Sequence, residues 1–164
     1  MSLTAISWIF TLGVLAHNAE EACFLPAWSS RAGRFYKPVA PAVFRCAVML
    51  LSAVFLAITA WASLSSSGSV ALYIMAGYVL AMVLNVFAPH VSASVFMRRY
   101  MPGTATAVLL NLPLGVWYLH RAAVEQSIEL SVFYWAGPLV VLAIVALMPV
   151  LFALGRLLHP AAVT

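Results

Sequence analysis

The residues with the clearest capacity for chemistry form one short segment, His17-Asn18-Ala19-Glu20-Glu21, inside a long apolar run. Two of the four carboxylates of the chain lie here. On a helix, the spacing of His17, Glu20 and Glu21 brings the imidazole and both carboxylates to one face. An ionisable group near a bilayer core costs about 2.5–3.5 kcal/mol, so three of them together indicate a functional site. Such groups need a proton, a metal ion or polar partners from other helices.

The composition places this segment in a membrane protein. The chain has 164 residues, of which 65% are hydrophobic and 7% are charged, and this excludes an ordinary soluble domain. Several apolar segments approach the roughly 20 residues that a helix needs to cross a bilayer. We therefore predict an all-α fold, a single polytopic membrane domain over residues 1–164 with five transmembrane helices at residues 3–27, 42–64, 70–91, 103–119 and 132–154.

The basic residues predict how these helices are oriented. Seven of the eight lie in segments that alternate along the chain and therefore share one side of the membrane, namely Arg31, Arg34, Lys37, Arg45, Arg98, Arg99 and Arg156. Positive residues concentrate on the cytoplasmic side, so we expect the N-terminus outside and the C-terminus in the cytoplasm. Arg121 is then the exception on the outer side.

This orientation predicts that polar residues far apart in the chain meet at a similar depth. With a rise of 1.5 Å per residue, His17, Glu21, Asn85 and Asn111 lie roughly 10–15 Å from the cytoplasmic helix ends, and His90 lies nearer the surface. We expect His90 to approach His17 or Glu21, and Asn111 to line the same pocket.

Two prolines bear on the helices that carry these residues. Pro89 has no N–H, so it either ends the third helix or leaves the Asn85 carbonyl without its partner. A carbonyl freed at this depth must be satisfied by a neighbour, a water molecule or a ligand. Pro113 frees the Leu109 carbonyl in the fourth helix in the same way, and Pro102 suits the start of that helix.

Taken together, these motifs resemble the HXXEE family of small bacterial membrane proteins. The HNAEE segment matches the defining motif, and Asn85 and His90 resemble the Asn-to-His pair of a later helix. The segment Tyr100-Met101-Pro102-Gly103-Thr104-Ala105-Thr106 resembles a Tyr-x-Pro-Gly-x-x-Thr pattern, and Pro113 fits the proline that follows. The resemblance covers roughly residues 10 to 118. It implies a bacterial protein, for which we expect the inner (cytoplasmic) membrane, and it supplies no reaction.

A metal site is the leading chemical interpretation. His17 and Glu21 can bind one ion from one helix face, as paired ligands at i and i+4 do in zinc helices. With His90 as the third ligand, this gives a two-histidine, one-glutamate set with an open position, which is typical of catalytic zinc. Iron is an alternative ion, because helical bundles hold it with carboxylates. Glu20 would act as the base in hydrolysis of a lipophilic ester, amide or epoxide.

Four further side chains are predicted to orient water or substrate beside this site. Asn85 and Asn111 could hold a water molecule or a substrate carbonyl. Trp117 and Tyr118 could line the pocket and, in a metal-free isomerisation or cyclisation, stabilise a carbocation.

Three other interpretations use the same residues. Without a metal, two adjacent carboxylates cannot both be ionised at low cost at this depth. A protonated glutamate beside a histidine then suits acid–base isomerisation or cyclisation of a terpenoid, sterol or epoxide. Intramembrane Glu and His also build proton or cation paths, which would make a small coupled transporter that could form a homo-oligomer. Finally, the polar residues could only join helices. The expected partners are the bilayer and a lipophilic small molecule, and the sequence has no nucleic-acid signature.

Overall fold

The helices of this chain follow its apolar segments. The computed structural model describes residues 1–33 and 36–160, so Arg34 of the predicted basic set lies outside it. This part of the chain contains helices and no strand. We number its helices α1 Leu3–Ser29, α2 Pro41–Ser63, α3 Val70–Phe96, α4 Thr104–Val124 and α5 Leu130–Leu158.

The length and composition of these helices indicate a membrane protein. Within the described residues, four helices, α2 to α5, are long and apolar enough to cross a bilayer. A helix satisfies its own backbone polar groups, which is why such segments are helical in lipid. The 27 residues of α1 would also be long enough, but this helix carries the polar HNAEE segment. That α1 spans the membrane as well, and which side each end faces, remain predictions.

Helices α1 and α2 run antiparallel and are joined by polar side chains. The hydroxyl groups of Thr11 and Thr59 lie 2.6 Å apart in a hydrogen bond. About two turns further along, Asn18 donates to Ser52 over 2.9 Å. The two pairs are separated by the same number of residues on both helices. They therefore show which residue of α2 is level with a given residue of α1. Hydrogen bonds of this kind join helices where no water competes for them.

The loops at the two ends of the bundle differ in charge. At one end, Arg121 donates to the Met1 carbonyl, and Gly68 donates to the Ser127 carbonyl. At the other end, Arg99 donates to the Arg31 carbonyl over 3.1 Å. We call this second end the basic end, because the alternation of the helices brings to it Arg31, Lys37, Arg45, Arg98, Arg99 and Arg156.

Aromatic residues fill the core between the HNAEE segment and the end of the bundle that lies opposite the basic end. Phe55 stacks on Tyr78 with ring centroids 3.7 Å apart, and Phe10 meets Tyr78 edge-on at 5.6 Å. Such aromatic pairs contribute about 0.5–1.5 kcal/mol each beyond the area that they bury. This core fixes the relative positions of α1, α2 and α3, which is what a site shared between helices requires.

Helices α3 and α4 are irregular where they approach the HNAEE segment of α1. The backbone of α3 leaves the helical conformation at Ala88, with φ −134° and ψ 114°, and the helix then resumes and ends at Phe96. Pro89 therefore breaks α3 without ending it, because a proline interrupts the hydrogen-bond ladder only locally. The start of α4 also differs from the prediction. Gly103 has φ +93°, so the helix begins at Thr104 rather than at Pro102 or Gly103.

Candidate functional site

His17, Glu21 and His90 form one compact cluster. Their ligand atoms all lie within 4.8 Å of one another. The nearest pairs are Glu21 Oε1 with His90 Nε2 at 3.3 Å and Glu21 Oε2 with His17 Nε2 at 3.9 Å. The two imidazole rings meet edge to face, with centroids 4.7 Å apart. Both histidines are fully buried. The structure thus agrees with the expectation that His90 reaches α1, and the break in α3 lies just before it.

The hydrogen bonds of His17 fix which of its nitrogens faces the cluster. Its Nδ1 lies 3.0 Å from the Gly103 carbonyl, and a carbonyl can only accept, so Nδ1 carries the proton. In the neutral ring, Nε2 then holds a free lone pair. That lone pair faces Glu21, and the Asn85 amide donates to it at 3.4 Å. A backbone carbonyl that holds the far nitrogen in this way is the usual support of a metal-binding histidine.

Gly103 makes this close packing feasible. A Cβ atom at this position would fall 2.6 Å from His90 Cε1 and 2.9 Å from His17 Cε1. Its positive φ is also a conformation that costs other residues roughly 1–2 kcal/mol. The close approach of the two histidine rings and the positive φ are therefore two independent reasons for glycine at this position. In the sequence, Gly103 was visible only as a part of the Tyr-x-Pro-Gly pattern.

Glu20 lies on the other side of His17 and not in the cluster. Tyr100 donates to its Oε1, and the Thr106 hydroxyl donates to its Oε2 over 2.7 Å. The same Thr106 oxygen lies 3.1 Å from His17 Nδ1 and can accept from it. Burial and the Glu20 carboxylate raise the pKa of Tyr100, so the phenol keeps the proton that it donates. Glu20 is thus linked to His17 through Thr106, an arrangement that the sequence did not predict.

A cavity of about 320 Å³ adjoins the cluster. This volume is at the lower end of the range for small-molecule sites, roughly 300–1,000 Å³. Its polar lining comes from His17, Asn18 and Glu21 of α1, from Asn85 of α3 and from Tyr36 in the loop between α1 and α2, whereas its other lining side chains are apolar. Asn18 was not among the predicted site residues, although it belongs to the HNAEE segment. Its amide is held by Ser52, which leaves the side chain fixed at the cavity wall.

Besides Glu20, three predicted residues lie neither in the cluster nor in the cavity lining. Thr106 is level with His17, and Tyr118 is twelve residues further along α4, which corresponds to about 18 Å. Tyr118 is fully buried in the aromatic core, with Trp117 packed against that core, so neither orients a substrate at the cluster. Asn111 is also fully buried, against Gly13 of α1, and does not line the cavity. Because Thr106, near the start of α4, is already level with His17, these later residues of α4 lie further from the basic end than the cluster does.

Comparison with known proteins agrees with the resemblance seen in the motifs. Residues 8–118 match the family model described as a protein of unknown function with HXXEE motif, and the chain belongs to this HXXEE family. A similar relative is the uncharacterized protein YrkK of Bacillus subtilis (strain 168). The two are 32% identical over 158 residues, which cover 92% of this chain and 96% of that protein. No solved structure matches the chain. The matched range contains the whole cluster, whereas α5 lies outside it.

Proposed function

We propose that this protein is a membrane-embedded enzyme that binds a metal ion at His17, Glu21 and His90 and hydrolyses a lipophilic small molecule. The observation that carries the proposal is the cluster itself. Two buried imidazoles and one carboxylate converge from two helices, and two of these residues, His17 and Glu21, line the adjoining cavity. Buried polar groups are costly unless they are paired or bind a ligand, and this cost is the reason to assign them a function.

The spacing of the ligand atoms supports a metal ion. Ligands about 2.0–2.2 Å from a tetrahedral zinc ion lie roughly 3.3–3.6 Å from one another. The Glu21–His90 distance of 3.3 Å already fits this geometry, and the His17–Glu21 distance of 3.9 Å needs only a small rotation of side chains. Two histidines and one carboxylate also suit Fe(II), so zinc and iron are both candidates. Each histidine needs a free nitrogen, and the Gly103 carbonyl gives His17 this tautomer.

In this site the protein's own residues would bind and orient, and the ion would supply the Lewis acid. An ion of this type polarises a carbonyl or epoxide oxygen and activates water at neutral pH. The Asn85 amide, beside His17 Nε2, can donate to a substrate oxygen in place of its present bond. The apolar walls exclude bulk water and strengthen these interactions. Glu20 supports His17 from outside the cavity, because both of its oxygens are already engaged there.

A second candidate, metal-free acid–base chemistry, is favoured by one contact. Glu21 Oε1 lies 3.3 Å from His90 Nε2, so this pair could exchange a proton directly. It would serve an isomerase or cyclase of a terpenoid, sterol or epoxide bound in the same cavity. The pair would need no ion, so chelation distinguishes the two candidates.

The proposal is tested by turnover before and after removal of metal. Purified protein in detergent is assayed with a panel of membrane-soluble esters, amides and epoxides. We expect hydrolysis that is lost after treatment with a chelator and restored by zinc or Fe(II), with about one ion per chain. Turnover that is unchanged in fully chelated protein would reject the metal and favour the acid–base candidate. Ion flux in liposomes without turnover of any panel member would favour a coupled transporter.

For the topology we propose five spans in the bacterial inner membrane, with the basic end in the cytoplasm. The basis is the distribution of cations between the two ends. The test uses a background in which Cys23 and Cys46 are replaced by serine. We expect Ser66→Cys to react with an impermeant maleimide from outside, and Lys37→Cys to react only after the cells are opened. Both residues are exposed. Labelling with the opposite pattern would invert the orientation.

A further inference from the structure

The cavity beside the cluster is lined by polar residues near the cluster and by phenylalanines further along the bundle on either side. The two hydrogen-bonded pairs between α1 and α2 show which residues of the two helices are level with one another. Phe55 of α2 is level with a point about two residues before His17. Phe44 of α2 is level with a point about five residues beyond Glu21, towards the basic end. Both phenylalanines line the cavity. Apart from the hydroxyl group of Tyr36, in the loop at the basic end, the polar groups therefore occupy the middle of a cavity whose lining is apolar in both directions along the bundle.

Apolar residues also flank the polar lining residues of α3 and α1. Ala81 precedes Asn85 by about one turn of α3 and lines the cavity, as does Leu25, which lies one turn beyond Glu21. Neither end of the cavity has a charged side chain among its described lining residues, because the charged residue of this lining, Glu21, lies in the middle. A charged head group bound at either end would lose its hydration without gaining an oppositely charged partner.

Helix α5 forms the outer wall of this cavity. It is held closely against its neighbours at two places. A Cβ atom on Gly77 would fall 2.4 Å from Val140 Cβ, and one on Gly155 would fall 2.8 Å from the Val43 carbonyl. Between these two contacts, α5 turns apolar side chains towards the cavity, namely Val141, Ile144, Val145, Met148 and Phe152.

The wall is open towards the side of the bundle. Val145 of α5 and Leu84 of α3 both line the cavity, and yet they are 61% and 48% exposed on the outer surface. Ala88 and Pro89, at the break in α3, are exposed on the same side. This rim is in the middle of two helices that are long and apolar enough to cross a bilayer, so in a bilayer it would face hydrocarbon. A molecule dissolved there could then reach the cavity without passing through water.

We infer that the substrate is an uncharged lipophile whose reacting polar group lies between two apolar parts, that it comes from the bilayer between α3 and α5, and that α5 selects it. An ester or epoxide within a hydrocarbon framework has this form, whereas an amphiphile with a charged terminal head group does not. The identity of the reacting group rests on the proposed function. The shape and path of the ligand rest on the cavity alone, and this separation allows an independent test.

The test compares two photoreactive probes of equal length in proteoliposomes. One is a long-chain ketone with its carbonyl at mid-chain, and the other is the fatty acid with a terminal carboxylate. Each carries the same diazirine near one end. We expect the ketone to label peptides of α5 and of the α3 break about tenfold more than the fatty acid. The reason is that the fatty acid would have to bury its carboxylate charge in the cavity, whereas the ketone is uncharged. Equal labelling by the two probes would overturn the inferred ligand.

Two variants test the path, with one matched control. Val145→Trp and Ile144→Trp narrow the cavity, and each should reduce labelling by the ketone about tenfold. Leu142→Trp adds the same bulk at an exposed position of α5 that does not line the cavity, and it should change little. If both cavity variants label like Leu142→Trp, α5 is not the selecting wall. Metal content is measured on the same samples. Wild-type protein that takes up no metal and still prefers the ketone would reject the metal site and leave this inference standing. Wild-type protein that binds metal and labels equally with both probes would reject only the inference.

Discussion

Replacement of Glu21 by alanine is expected to abolish stoichiometric metal binding and, with it, hydrolysis. Glu21 is the carboxylate that both histidines face, at 3.3 Å and 3.9 Å. Residues that merely orient metal ligands change affinity by about 10–100-fold, so loss of a ligand should weaken binding by more than about 100-fold. Elemental analysis of the purified variant, after equilibration with zinc or Fe(II), measures this directly.

Stability provides a second readout for the same variant. A carboxylate held in a largely buried cluster stabilises the fold only if its partners compensate for lost hydration. We therefore expect metal-free Glu21→Ala to unfold at a temperature no lower than that of the metal-free wild type, so loss of metal would not reflect misfolding. Glu129→Ala, at the opposite end of the bundle, is the control and should keep both metal and turnover. Full occupancy by metal in Glu21→Ala would reject the ligand assignment.

Replacement of Glu20 by glutamine or of Thr106 by valine should weaken metal binding by similar amounts, about 10–100-fold each. The reason is that Glu20 reaches the cluster only through the Thr106 hydroxyl, which accepts from His17 Nδ1. Each change removes the same support of the ring. The double variant should therefore be little worse than either single variant, with a coupling of about 0.5–3 kcal/mol, which is typical of residues in one network. Competition with a chromogenic chelator measures the four affinities.

This cycle also tests the role that the sequence first predicted for Glu20. If Glu20 is the catalytic base, Glu20→Gln should lose turnover while it retains metal, and Thr106→Val should be nearly normal. If Glu20 positions His17, the two variants should change metal affinity together. Tyr100→Phe is the matched control, because it removes the other bond of Glu20 and leaves the path to His17 intact, so its effect should be smaller. Additive effects of Glu20→Gln and Thr106→Val would contradict the linkage.

The sequence was sufficient for the features that depend on composition and on the geometry of one helix. A chain that is 65% hydrophobic must satisfy its backbone internally in a bilayer, so its apolar segments are helices. The i, i+4 spacing alone places His17 and Glu21 side by side, whatever surrounds them. The alternation of basic segments then brought the end of α3 to the same level as His17, and it gave His90 as a partner.

Only the tertiary structure decided what lies between helices. Glu20 and Glu21 are adjacent in sequence, yet they face different surroundings, because Thr106 and Tyr100 of the α4 region engage one of them and His90 the other. Helical periodicity fixes directions within one helix, but the axial register and rotation between helices are set by packing. For that reason Trp117, Tyr118 and Asn111, which were predicted to line the pocket, lie away from it. For the same reason the tautomer of His17, set by a glycine carbonyl 86 residues away, could not be read from the chain.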